Sequence, residues 1–106
     1  MAKTETRDAV FEALSDPTRR ELLALVGRLE NATATELARE LPVSRQAVSK
    51  HLGVLSSAGL VEPARTGREV RYRLTPAPLS EAMAWMAGVG AQWDARLARL
   101  ERQLSR

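Results

Sequence analysis

Pro42 falls between two helix-start signals, and this placement constrains the chain more than any other feature. Upstream, Thr33-Ala34-Thr35-Glu36 reads as a capping box, with Thr33 as the cap and Glu36 reaching back to its backbone N–H. The helix it starts must be short, because Pro42 ends it near Leu41, with Leu37, Ala38 and Leu41 facing inward. Downstream, the stretch Val43 to Leu60 offers Ser44 as a cap, an apolar stripe at Val48, Leu52 and Leu55, and a stop at Ala58-Gly59. A short helix, a tight turn through Pro42-Val43 and a capped second helix make a helix-turn-helix pattern.

The flanking segments read as its support. A first helix is expected from Thr4 to Leu14, with Ala9, Val10, Ala13 and Leu14 on one face and Phe11 beside it. Asp16 can cap a second helix and Pro17 suits its first position, and Leu22, Leu25, Val26 and Leu29 give that helix its stripe, which Leu23 widens. Asn31-Ala32-Thr33 is read as a break. After Gly59 the apolar period changes from helical to two. Val61 and Pro63 share one face of a first strand, and Val70, Tyr72 and Leu74 alternate with Glu69, Arg71 and Arg73 in a second. Thr66-Gly67-Arg68 joins them as a hairpin, which must lie against the helices because a lone hairpin is not stable in water. Its other face and tip carry Arg65, Arg68, Arg71 and Arg73, a basic wing.

Thr75-Pro76-Ala77-Pro78 opens a last helix running to about Leu104. At about 40 Å it is too long for a domain of this size to cover. Leu79, Met83, Met86, Gly90, Trp93, Leu97, Leu100 and Leu104 step by alternating four and three residues, a heptad seam suited to pairing two chains. Gly90, near Gly88, interrupts it and allows a kink or a close approach of backbones. Trp85, Trp93, Met83 and Met86 could instead line a ligand pocket, but their spacing favours packing between two copies. The expected fold class is mainly α with a small β-hairpin, in the order four helices, two strands, one helix: a winged helix-turn-helix. At 106 residues it forms one domain, 1–106, in which the first and last helices pair two chains.

Charge points to the partner. The net charge is +3, and between Val43 and Arg73 six basic residues meet only Glu62 and Glu69, so the excess sits in one contiguous third of the chain. That is the footprint of phosphate contact. On the second helix of the motif, Gln46 can pair with adenine, Arg45 with guanine, Ser49 with base or phosphate, and Lys50 adds a further cation. All four lie in its first two turns, where a recognition helix reaches base edges. Arg45, Gln46, Ser49 and Lys50, with Arg65, Arg68 and Arg71 on the wing, are therefore the candidate contacts to double-stranded DNA. Val10, Phe11, Leu14, Met86, Trp93, Leu97 and Leu100 are the candidate residues of a homodimer interface.

Other function classes find little support. The absence of cysteine excludes disulfides, thiolate metal sites and a cysteine nucleophile. His51, the only histidine, lies near the apolar side of its helix, where packing or hydrogen bonding suits it better than phosphate or metal. No serine has an evident base partner and no glycine-rich phosphate loop occurs, so no enzyme and no cofactor is expected. No apolar run approaches a membrane span and MAKTETRD is not a signal peptide, so a cytoplasmic protein is expected.

The stretches FEALSDPTRRELL at Phe11 to Leu23, TELARELPVSRQAVSKHLGVLSSAGLV at Thr35 to Val61 and REVRYRL at Arg68 to Leu74 resemble the ArsR/SmtB family of bacterial winged-helix repressors. The resemblance implies a homodimer through the first and last helices, with recognition helices in successive major grooves of a roughly palindromic operator. It also implies base reading by Gln46 and Ser49, with Arg45 and Lys50 alongside, and wing contacts by Arg68 and Arg71. Some metal-sensing members carry Cys-x-Cys where this chain has Thr33 and Thr35, and others use Asp and His pairs on the last helix, where Asp94 stands without any histidine. The expectation is a repressor or autorepressor with no metal sensor. An organic ligand or partner protein acting at the dimer interface is the alternative.

Overall fold

The caps expected from the sequence are the ones the backbone uses. The structure, a computed structural model, describes residues 2–104. Helix α1 spans Ala2–Ala13 and α2 spans Pro17–Leu29, where the Asp16 carboxylate accepts from the Arg19 N–H at 3.0 Å. Helix α3, Ala34–Glu40, starts at a complete capping box: Thr33 N–H donates to Glu36 Oε1 (2.9 Å) and Glu36 N–H to Thr33 Oγ1 (3.1 Å). Helix α4, Arg45–Ser57, begins where Ser44 Oγ accepts from Ala47 N–H at 3.1 Å. It ends in a Schellman motif, with Leu60 N–H bonded to Leu55 O and Gly59 N–H to Ser56 O, both 2.9 Å. Gly59 sits there at φ 77°, the left-handed conformation that motif requires.

The sheet holds a difference from the expected order. Ala32–Thr33, read as a break, forms a short strand β1 that pairs antiparallel with β3 (Glu69–Leu74), and β3 also pairs with β2 (Val61–Thr66). The spatial order β1-β3-β2 leaves β2 at the edge, where Pro63 costs no ladder hydrogen bond. Two residues cannot show a period of two, so β1 had no sequence signal. Thr66 faces Glu69 across the hairpin, and Gly67 takes φ 63° as the first residue of the two-residue turn. Pro63 is exposed rather than facing inward with Val61, and Val70, Tyr72 and Leu74 are only half-buried. Only the base of the wing has helices beneath it.

The core is built from Val10 and Ala13 of α1, the stripe of α2, Leu37 of α3, Val48, Leu52 and Leu55 of α4, and Leu60 and Val61. No polar side chain is buried among the described residues. The last helix, α5 (Pro76–Leu104), contributes Ala82 and, partly buried, Leu79. The radius of gyration is 18.3 Å, against about 13 Å for a compact chain of this length. Most of α5 therefore projects beyond the domain. Near its start Trp85 meets Phe11 of α1, with centroids 5.8 Å apart, and Arg7 stacks over the same indole at 4.5 Å. No helix of the described residues is long and apolar enough to cross a membrane.

Candidate nucleic-acid interface

The polar face of α4 is presented to solvent because its opposite face is taken up by the core. Val48, Leu52 and Leu55 are fully buried, and helical spacing leaves Arg45, Gln46, Ser49 and Lys50 exposed. Beside this face runs a groove of about 520 Å³ between the start of α3, the first turns of α4 and the wing. Arg45, Ser49, Arg68 and Arg71 all line it, so four of the seven sequence-derived contacts meet at one surface. Gln46 and Lys50 on α4 and Arg65 on the wing lie outside it.

Two lining residues, Thr35 and Arg39, were not anticipated. They are four apart on α3 and both exposed, so they share a helix face that points into the groove. That i, i+4 polar pair was a readable signal. Thr35 Oγ1 accepts a 2.9 Å hydrogen bond from Arg45 Nε, which links the first turn of α3 to the first turn of α4.

The wing arginines separate into two sets. Cross-strand partners share a face of the sheet, and Arg65 pairs with Val70 while Ala64 pairs with Arg71 and Glu62 with Arg73. Arg65 thus lies on the face of Val61, Pro63, Val70 and Tyr72, as strict alternation from Val61 requires, and not with Arg71 and Arg73, where it was grouped. Arg71 is half-buried: its Nη2 lies 2.8 Å from Glu69, and its Nη1 donates at 3.2 Å to both Glu36 Oε1 and Asn31 O. Arg73 forms an exposed pair with Glu62 at 3.6 Å. Arg65 and Arg68, by contrast, form no ion pair among the described residues.

A model of a helix-turn-helix domain family matches residues 14–64. The transcriptional repressor SdpR of Bacillus subtilis is 35% identical over 77 residues, covering 73% of this chain and 84% of SdpR. The arsenic resistance transcriptional regulator ArsR1 of Pseudomonas putida is 34% identical over 89 residues, covering 84% of this chain and 70% of its own. Among solved structures, an ArsR-like transcriptional regulator from Rhodococcus sp. RHA1 superposes with a TM-score of 0.82 at 44% identity, covering 96% of this chain and 95% of that one.

This chain belongs to the ArsR family of winged helix-turn-helix regulators. It is a DNA-binding transcriptional regulator. In this ArsR-family protein the threonines at the start of α3 have structural tasks, Thr33 as the cap and Thr35 as the acceptor for Arg45. Glu36 also lines the groove. Its carboxyl lies below the usual range, chiefly because it accepts the Thr33 N–H, with the charges of Arg71 and Arg39 assisting against partial desolvation. Asp16 is lowered likewise, first by the Arg19 N–H and then by the positive charges of Arg19 and His51. His51 is half-buried.

The structure corrects one residue of the expected dimer interface. Val10 is 1% exposed within the single chain, enclosed in the core, and has no surface to offer a partner. Phe11 and Leu14 are partly buried against the same core, while Met86, Trp93, Leu97 and Leu100 stand 44–58% exposed on α5.

Proposed function

We propose that this regulator acts as a homodimeric repressor on a roughly palindromic operator, with one winged helix-turn-helix domain per chain, and that no metal ion releases it. The observation that carries this reading is the groove where Arg45 and Ser49 of α4 meet Arg68 of the wing, a base-reading helix beside a phosphate-contacting arm. Support for two copies comes from α5, where Met86, Trp93, Leu97 and Leu100 remain 44–58% exposed within the protomer. One short helix contacts few base pairs, so selectivity requires two helices held at a fixed spacing. Repression follows if the dimer occupies a promoter and excludes polymerase, and the relative SdpR is named a transcriptional repressor. Such a role places the protein in the cytoplasm with the chromosome. With no cysteine and a single histidine, the chain lacks the ligands a thiolate or histidine-rich sensor would need.

Selection of bound fragments from random DNA tests the proposal. The expected product has dyad symmetry, with half-sites about one helical turn apart or a multiple of it. Replacing Gln46 and Ser49 together by alanine should then lower the ratio of operator to random-DNA affinity by roughly tenfold or more. A selected pool without dyad symmetry would overturn the dimeric reading, and an unchanged ratio would remove these two residues from base recognition.

A further inference from the structure

A second groove, of about 480 Å³, opens where α2 passes the end of β3 and the start of α5, and it shares no residue with the DNA-facing groove. Leu23 of α2, Leu74 of β3 and Leu79 of α5 supply its apolar surface. Gly27 lies between them, and a Cβ there would be in van der Waals contact with Leu74 Cδ2 at 3.6 Å. Arg20 and Arg28, eight residues apart on α2, are the charged residues lining it, and no carboxylate does so. Arg20 spends one N–H on Leu14 O at 2.6 Å, and neither arginine has an ion-pair partner among the described residues.

We propose that this groove binds a small amphipathic organic anion, its hydrocarbon part over the leucines and its carboxylate at the arginines. An apolar slot of this size falls within the range of small-molecule sites, and guanidinium forks are the side chains best matched to a carboxylate. Charge complementarity decides the occupant: two cations with no lining acid disfavour a cationic ligand and leave a neutral one without a partner for them. Leu74 and Leu79 also flank the segment made of Thr75, the one residue between β3 and α5, and the first turn of α5. A ligand touching α2 and both ends of that segment biases the wing relative to the long helix, so DNA affinity and ligand affinity are linked wherever the two states bind it differently.

The test uses the full chain, sodium octanoate and 1-octanol, followed by amide chemical shifts without DNA. Saturable shifts with octanoate at Ala24, Gly27 and Leu79, with octanol at least tenfold weaker, are expected. Ala24→Trp, at an exposed helix position, should fill the slot and abolish the shifts. Arg28→Gln should weaken octanoate at least fivefold and leave octanol unchanged, a comparison that does not depend on the bulky variant folding. Absent or non-saturating shifts, shifts confined to the exposed apolar residues of α5, or equal affinity for octanoate and octanol would each overturn the proposal. Because this readout contains no DNA, its failure is distinguishable from failure of the repressor reading.

Discussion

At the scale of single residues, the wing shows that similar side chains in adjacent positions have different tasks. Arg68 is exposed at the tip, whereas Arg71 is held by Glu69, Glu36 and Asn31 O and fastens the wing to the capping box of α3. Arg68→Ala should flatten the dependence of log affinity on log salt by up to about one unit, the loss of one phosphate contact. Arg71→Ala should weaken binding with a slope change less than half as large, because it loosens the wing without removing a free cation; a full-unit change at Arg71 would make it a phosphate contact instead. Titration probes the two caps together. Asp16 and Glu36 have carboxyl groups held below their ordinary values when folded, so between the folded and the ordinary values the unfolded chain binds more protons. The stability they add is complete above their ordinary values and is lost as pH falls through the folded ones. Asp16→Asn and Glu36→Gln keep a capping side chain but cannot titrate. The double variant should therefore lose stability more shallowly than the parent between about pH 5 and pH 3, followed by urea unfolding. Parallel curves would show that these caps do not set the acid limit.

At the scale of elements, the ends of the helices carry more organisation than their interiors. The arginines of the Asp-Pro-Thr-Arg-Arg run close α1: Arg19 Nε donates to Ala13 O at 2.5 Å and its Nη2 to Glu12 O at 3.2 Å, while Arg20 Nη1 donates to Leu14 O at 2.6 Å. These bonds satisfy carbonyls that a helix C-terminus leaves open and place positive charge at its negative end. Arg19→Ala should cost about 1–2 kcal/mol in thermal or urea unfolding, and a neutral result would show that water serves those carbonyls equally well. The end of α2 is strained in a way no sequence pattern announces. Glu30 has φ 66° at the centre of a three-residue turn closed by Asn31 N–H to Leu29 O at 2.7 Å. Glu30→Gly should relieve that strain and, net of the extra entropy of an unfolded glycine, stabilise the fold by up to about 1 kcal/mol. A lowered melting temperature would contradict the strain.

At the scale of the whole molecule, the chain behaves as a winged domain with a lever. Phe11, Trp85 and Arg7 clamp the root of α5 to α1, while the remainder of the helix carries its apolar seam outward along a molecule 69 Å in its longest dimension. Leu97 and Leu100 sit far along that projecting part and outside the core. Replacing both with glutamate should leave each domain folded, yield monomers in sedimentation, and reduce operator affinity by at least tenfold, because two recognition helices would no longer be held at one spacing. A dimer that persists in this variant would place the interface elsewhere.

What the sequence determined by itself was local and periodic. Thr33, Glu36, Ser44 and Asp16 announced their caps because capping acts over three residues, and Val48, Leu52 and Leu55 announced the buried face of α4 because helical spacing decides which side chains share it. The exposed set Arg45, Gln46, Ser49 and Lys50 followed from the same spacing. Tertiary structure alone decided which charges remain available. Arg71 and Glu36 are thirty-five residues apart in sequence and 3.2 Å apart in space, and only the pairing of β1 with β3 brings them together. Strand β1 itself exists only through that pairing, and Val10 is fully enclosed through the packing of α1 against the other helices. Each depends on contacts distant in the chain, which no local pattern encodes.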